Sequence, residues 1–83
     1  MQNPVTIITD KVMRMAGSMV YLALCATYRG GATVGDIAGF LSIGPAGEAG
    51  FYHDGMVERL LRQLHSDGRV TRVGQYWYPI IDG

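Results

Sequence analysis

Few side chains in this sequence are of the types that carry out catalysis, and they are not arranged for it. His53 and His65 lie twelve positions apart, and no constellation of serine, cysteine and carboxylate residues surrounds them. Cys25 has no activating base near it in the sequence, so we interpret it as a small buried hydrophobe. Neither a Cys/His cluster with zinc-ligand spacing nor a phosphate-binding Gly-Lys-Ser/Thr element is found. The sequence therefore predicts a protein that is not an enzyme, with no metal site and no cofactor.

A better candidate for a functional site is the polar face of a predicted helix that runs from His53 or Asp54 to Ser66. Arg59 and Arg62 lie on this face, and Glu58 stands four residues before Arg62. Such a face could contact a partner, or it could be an ordinary solvated surface on which Glu58 and Arg62 form an i,i+4 pair worth tenths of a kcal/mol. Both interpretations remain open at this point. The residues predicted to point outward are Gly55, Glu58, Arg59, Arg62, Gln63 and Ser66.

Length and composition restrict the class of protein that can contain these residues. The chain has 83 residues and 48% hydrophobic residues, which fits one folded domain over 1–83 with a core from about 9 to 80 and short flexible termini. Seven basic side chains balance seven acidic ones, so any affinity for nucleic acid must come from local placement of arginine. One cysteine cannot form an intramolecular disulfide, and oligomerisation is then the expected support, with a homodimer the simplest case. No secretion signal or membrane span is recognisable, and we expect a cytoplasmic protein.

Hydrophobic periodicity predicts three helices. The first runs from Thr9 or Asp10 to about Tyr28 and stops before two glycines. The second runs over Thr33–Leu41, opens with a weak Thr33/Asp36 capping box and carries Gly35 and Gly39 on its other face. Those glycines either permit close approach of another backbone or are tolerated because packing holds the helix. The third and clearest helix runs from His53 or Asp54 to Ser66, with a core stripe of Val57, Leu60, Leu61 and Leu64.

The first predicted helix is apolar on two stripes. The stronger stripe is expected to face the core and comprises Val12, Met15, Ala16, Met19, Ala23 and Ala26. A weaker second stripe has two interpretations: it is also covered within the domain, or it is a self-association surface in which Gly17 allows close approach and tyrosines act as anchors. Its residues are Met13, Gly17, Tyr21, Leu24 and Tyr28.

The remaining segments are a loop and a hairpin. Ser42–Tyr52 is rich in glycine and contains a proline, which predicts a loop, with Phe51 and Tyr52 folding back onto the core. After Gly68 the pattern becomes alternating, and Gly74-Gln75 separates two β-rich runs as in a hairpin with a type II′ turn. We expect Trp77 to pack the hairpin against the third helix. The predicted fold class is therefore α+β, mostly helical.

This order resembles the winged helix-turn-helix superfamily. The Asp36-Ile37-Ala38-Gly39-Phe40-Leu41 segment is similar to the second helix of that superfamily, and Val57, Leu61, Leu64 and Gly68 have the spacing of its recognition helix and following turn. The resemblance implies a three-helix domain with a two-stranded C-terminal wing. Two features depart from it: the loop between the second and third helices is long, and Asp54 and Glu58 accompany the arginines.

The resemblance also implies a function. We expect a small transcriptional regulator that binds double-stranded DNA through the third helix and the wing. The alternative is a protein–protein interaction module or assembly factor with the same fold and no DNA binding, since neutral charge and the aromatic strand Tyr76-Trp77-Tyr78 suit a protein partner as well. The candidate DNA contacts are His53, Gly55, Glu58, Arg59, Arg62, Gln63, Arg72 and Gln75.

Overall fold

The computed structural model describes residues 4–43 and 50–81. Three helices are followed by a two-stranded antiparallel hairpin, which confirms the predicted α+β class. The elements are α1 (Pro4–Ala26), α2 (Val34–Ile43), α3 (Asp54–Ser66), β1 (Val70–Val73) and β2 (Tyr76–Pro79).

Helix α1 is longer than predicted at its N-terminus. It begins at Pro4 instead of Thr9 or Asp10, and it ends at Ala26, two residues before Tyr28. Proline suits the first turn of a helix because its missing N–H would have no intrahelical partner there. The sequence prediction started the helix at Thr9 or Asp10, whereas the structure places both residues inside it.

The predicted core face of α1 is only half correct. Ala16 and Ala23 are buried, but Val12 is 43% exposed and Met15 is 67% exposed. Two residues outside the predicted stripe, Val20 and Leu24, are fully buried at the centre of the core instead. The core-facing side of α1 is therefore rotated away from the predicted one.

The second α1 stripe makes contacts within the domain along most of its length. Leu24 is completely buried and Gly17 is buried, while Met13, Tyr21 and Tyr28 pack against the core. A β-carbon added at Gly17 would meet nothing within 4 Å, so no helix approaches it closely among the described residues. Met13 and Gly17 also line an open groove between α1 and α3, and a role of this stripe in self-association stays a prediction.

Helix α2 has the predicted capping box. The Asp36 N–H donates to Thr33 Oγ1 at 3.1 Å, and the Thr33 N–H donates to Asp36 Oδ2 at 3.2 Å. Ile37 and Leu41 are buried, and the helix continues to Ile43, beyond the predicted end. Added β-carbons at Gly35 and Gly39 would meet no backbone within 4 Å, so these glycines serve no close approach among the described residues.

Helix α3 forms with the predicted bounds and the predicted core stripe. Val57, Leu60, Leu61 and Leu64 are all at most 5% exposed. The helix ends in two backbone hydrogen bonds, from the Gly68 N–H to His65 O at 3.0 Å and from the Arg69 N–H to Leu64 O at 2.9 Å. Gly68 has a φ of 76°, the left-handed conformation typical of a residue after a helix.

The hairpin turns at Gly74-Gln75, as predicted. Val70 pairs with Pro79 and Val73 with Tyr76. Gly74 has a φ of 63° and no described non-glycine residue has a positive φ, which fits a type II′ turn. Trp77 is 3% exposed, which confirms that it packs into the domain.

Most of the predicted loop after α2 lies outside the described residues, at positions 44–49. Ser42 and Ile43 belong to α2, which corrects the predicted start of the loop. Tyr52 is 5% exposed and Phe51 packs against the core, so the end of the loop folds back as predicted. No helix within the described ranges is long and apolar enough to cross a membrane.

Candidate nucleic-acid interface

Five of the eight candidate DNA-contact residues form one continuous surface on α3. They line a shallow, open depression on the side of the helix opposite the buried leucines. A helix positions them together because residues three and four apart lie on the same side. We call this surface the outer face of α3, and it comprises Gly55, Glu58, Arg59, Arg62 and Gln63.

His53 and Gly55 have a structural role at the beginning of α3. The Met56 N–H donates to His53 Nδ1 at 3.2 Å, so the imidazole satisfies one of the free N–H groups of the first turn. A β-carbon at Gly55 would lie 3.3 Å from two atoms of that ring. The glycine therefore leaves room for the histidine cap, which the sequence prediction had not recognised.

Glu58 and Arg62 form the ion pair that the i,i+4 spacing allows. The Arg62 Nη2 donates to Glu58 Oε1 at 3.1 Å, with 69% of the arginine side chain and 43% of the glutamate side chain exposed. A pair this exposed contributes at most about 1 kcal/mol, so a phosphate or a base edge could replace the carboxylate as partner of Arg62. Gln63 is also engaged, since its Nε2 donates to Asp67 Oδ1 at 3.3 Å.

Arg59 is exposed and makes no hydrogen bond or ion pair to any described residue. It lines the outer face of α3 and also a groove between α1 and α3. Arg14 and Arg69 line the same groove, together with Asp10 and Asp67. The groove extends the arginine-bearing surface from α3 toward α1.

Arg69 and Arg14 are the residues that sequence reasoning did not include. Arg69 follows the turn after α3, and its guanidinium carbon lies 4.6 Å from the centre of the Tyr21 ring. A signal for Arg69 was present, because four of the six arginines fall within residues 59–72. Arg14 carried no such signal, since it lines the same groove as Arg59 only because α1 packs against α3.

Arg72 and Gln75 lie on the hairpin and do not belong to the outer face of α3. The Arg72 Nε donates to Gly74 O at 2.7 Å across the turn, and its guanidinium carbon lies 5.3 Å from the Trp77 ring centre. The arginine is thus held along the exposed side of the hairpin, next to its two-residue turn. Gln75 is exposed at the tip of the turn.

The outer face of α3 is locally positive. It carries two arginines and one carboxylate, although the whole chain is neutral. No group of three or more metal-ligating residues comes together in the part of the chain that the structure describes. Burial raises the pKa of Tyr52, which lies in the core and not at this surface.

Comparison with known proteins adds no family. No protein-family model matches the chain, and neither the curated proteins nor the solved structures contain a significant match.

Proposed function

We propose that this domain is a small cytoplasmic transcriptional regulator that binds double-stranded DNA with the outer face of α3. The observation that carries the proposal is the grouping of Arg59 and Arg62 on one exposed surface of α3. The opposite side of the helix packs into the core through buried leucines. A helix fits the major groove, where arginine recognises guanine through two hydrogen bonds.

Each arginine has a distinct part in this proposal. Arg59 is not engaged by any described residue, so it approaches DNA without breaking an existing contact. Arg62 exchanges Glu58 for a base edge or a phosphate. Arg72, held along the hairpin by Gly74 O, contacts the phosphate backbone beside the groove.

The experiment is a fluorescence-anisotropy titration of a mixed-sequence duplex at several salt concentrations. The affinity should fall with salt because arginines displace counterions from phosphate. Arg59→Ala should weaken binding about 3- to 10-fold and reduce the salt slope by roughly one. Arg29→Ala is the matched control: it removes the same charge from the end of α1, where Arg29 Nε donates to Cys25 O at 2.9 Å, and it should leave the affinity unchanged.

A second candidate, a protein-interaction module, is favoured by the tip of the hairpin. Val73 and Tyr76 face each other across the last strand pair, and they are 65% and 50% exposed. Exposed apolar and aromatic side chains at a tip suit a protein pocket better than a phosphate backbone. If the domain binds a protein and not DNA, Arg59→Ala does not change the affinity for a duplex. Tyr76→Ala then weakens the complex with the protein partner.

A further inference from the structure

The groove between α1 and α3 is a recess with a volume of about 550 Å³, and we call it the α1/α3 groove. The buried residues that line it form an apolar floor: Leu60 and Leu64 are at most 5% exposed, and Met13 packs against the core. Gly17 keeps this floor open, because an added β-carbon would meet nothing within 4 Å. The recess therefore has the size and the lining of a small-molecule site.

Three arginines from separate segments line the same groove. Arg14 comes from α1, Arg59 from α3 and Arg69 from the connection between α3 and β1, and all three are exposed. The groove is also lined by two carboxylates, those of Asp10 and Asp67, so its ionised side chains give it a net positive charge. The packing of the two helices thus brings together cations that are far apart in the sequence.

The guanidinium groups in the groove have no acidic partner. None of the three pairs with a carboxylate within the described ranges, although Asp10 and Asp67 line the same recess. Asp67 instead accepts a hydrogen bond from Gln63 Nε2 at 3.3 Å. The side-chain N–H groups of Arg14 and Arg59 make no hydrogen bond to any described residue, so they are available to a ligand.

Arg69 is held in position by an aromatic contact. Its guanidinium carbon lies 4.6 Å from the centre of the Tyr21 ring, and the Tyr21 hydroxyl donates to Ile80 O at 2.8 Å. The ring is thereby fixed between α1 and the residue that follows the hairpin. A guanidinium beside an aromatic ring keeps its charge and its N–H donors. Arg69 therefore loses less conformational freedom on binding a ligand than an unsupported arginine does.

The geometry points to a binding site for a small amphipathic anion in the α1/α3 groove. Its apolar body lies on the floor, and its carboxylate or phosphate head group lies among Arg14, Arg59 and Arg69. Guanidinium groups bind either head group through paired N–H donors. The apolar floor favours such a molecule over a DNA backbone, which brings no apolar body to cover Leu60 and Leu64. The site does not depend on DNA binding, although it shares Arg59 with the outer face of α3.

The test is a titration of isotope-labelled protein with phenyl phosphate, followed by NMR of the backbone and arginine N–H groups. Phenyl phosphate joins an anionic head group to an apolar ring, whereas inorganic phosphate and benzyl alcohol each supply one part alone. We expect saturable shifts at Gly17 and at the arginines of the groove, with a Kd of about 1 mM or tighter. Inorganic phosphate and benzyl alcohol should each bind at least about 10-fold more weakly, because each makes only part of the contacts.

Two variants separate the head-group contact from the space on the floor. Arg14→Ala should weaken the binding of phenyl phosphate about 10-fold, because it removes a charge-assisted contact. Arg29→Ala removes the same charge outside the groove and should leave the affinity unchanged. Gly17→Leu fills the groove without changing its charge and should weaken binding at least about 10-fold, whereas Gly39→Leu, at an open position on α2, should not. Both leucine variants should stay folded, since leucine favours a helix more than glycine does.

The inference is overturned if phenyl phosphate gives no saturable shift in the groove up to about 20 mM. Equal shifts at Arg29 and Arg72 would also overturn it, because they would show a general attraction of anions to arginine. A folded Gly17→Leu variant that binds like the wild type would have the same consequence. Weaker duplex binding by Arg14→Ala, in a protein that does not bind phenyl phosphate, would assign the groove to the DNA backbone instead. Binding of phenyl phosphate without any duplex binding would support the site and contradict only the proposed DNA contact.

Discussion

The backbones of Ala32 and Trp77 are joined by two reciprocal hydrogen bonds. The Ala32 N–H donates to Trp77 O at 3.0 Å, and the Trp77 N–H donates to Ala32 O at 2.8 Å. Through this bridge, the segment between α1 and α2 pairs with one edge of β2. The other edge of β2 pairs with β1. It fixes the hairpin to the helical layer, and Ala32 and Trp77 are both buried there.

The bridge depends on the glycine beside it. Gly31 has a φ of 104°, and an added β-carbon would lie 2.6 Å from Cε1 of Tyr78. Gly31→Ala should therefore lower the free energy of unfolding by more than about 1 kcal/mol. Gly39→Ala is the matched control, because its position is helical and open, and it should raise the free energy of unfolding by roughly 0.5–1 kcal/mol. Urea unfolding measures both; equal effects in the two variants would contradict the described backbone.

The α3 stripe should dominate stability. Leu61 is completely buried, so Leu61→Ala removes apolar contacts, leaves a cavity and should cost about 2–5 kcal/mol. In a domain of this size that is enough to unfold a large fraction of the protein. Ile43→Ala, at an 87% exposed position, should change stability by less than about 0.5 kcal/mol. A thermal melt of Leu61→Ala that matched the wild type would show that the stripe is not the core.

Stability should fall at high pH through Tyr52. Burial raises the pKa of Tyr52 above its ordinary value of 10.0, so the unfolded chain releases this proton at lower pH than the folded protein does. The contribution is fully present below pH 10 and is lost as the pH rises above it. The difference in unfolding free energy between the wild type and Tyr52→Phe should be constant below that pH and should shift in favour of the phenylalanine variant above it. A difference that did not change with pH would contradict the burial of this hydroxyl.

The proposed DNA contacts of Arg62 on α3 and Arg72 on the hairpin should affect specificity differently. With Arg62 against a base edge, as the proposal allows, Arg62→Ala should weaken binding to the preferred duplex by roughly 1–3 kcal/mol and relax the preference at one base pair. Arg72→Ala should weaken binding to all sequences alike, because the proposal places Arg72 against the phosphate backbone, which carries no sequence information. Selection from a random duplex pool, followed by titration of single-base variants, measures both effects. Loss of preference in Arg72→Ala with none in Arg62→Ala would reverse the assigned roles.

The sequence predicts α3 and the hairpin well because their signals are local. In α3, apolar residues recur at helical spacing, and Asp67-Gly68 marks the end of the helix. In the hairpin, Gly74 marks the turn. These features need no knowledge of the rest of the chain. The same locality explains why Glu58 and Arg62 could be expected to pair.

The orientation of α1 could not be predicted in the same way. Apolar residues cover more than one side of this helix, and periodicity alone does not show which side the other elements cover. The core takes Val20 and Leu24, leaving Met15 exposed. The bridge between Ala32 and Trp77 could not be predicted either. It joins two residues 45 positions apart, and the sequence around Ala32 has no alternating strand pattern.

The most direct test of DNA binding by α3 is the affinity of Glu58→Gln for a mixed-sequence duplex at low salt, compared with that of the wild type. Glutamine keeps the size of the side chain, removes a negative charge from the outer face of α3 and weakens the hold on Arg62. We expect the wild type to shift the duplex in a gel and Glu58→Gln to bind it several-fold more tightly. If neither protein shifts the duplex at low salt, the outer face of α3 does not bind DNA.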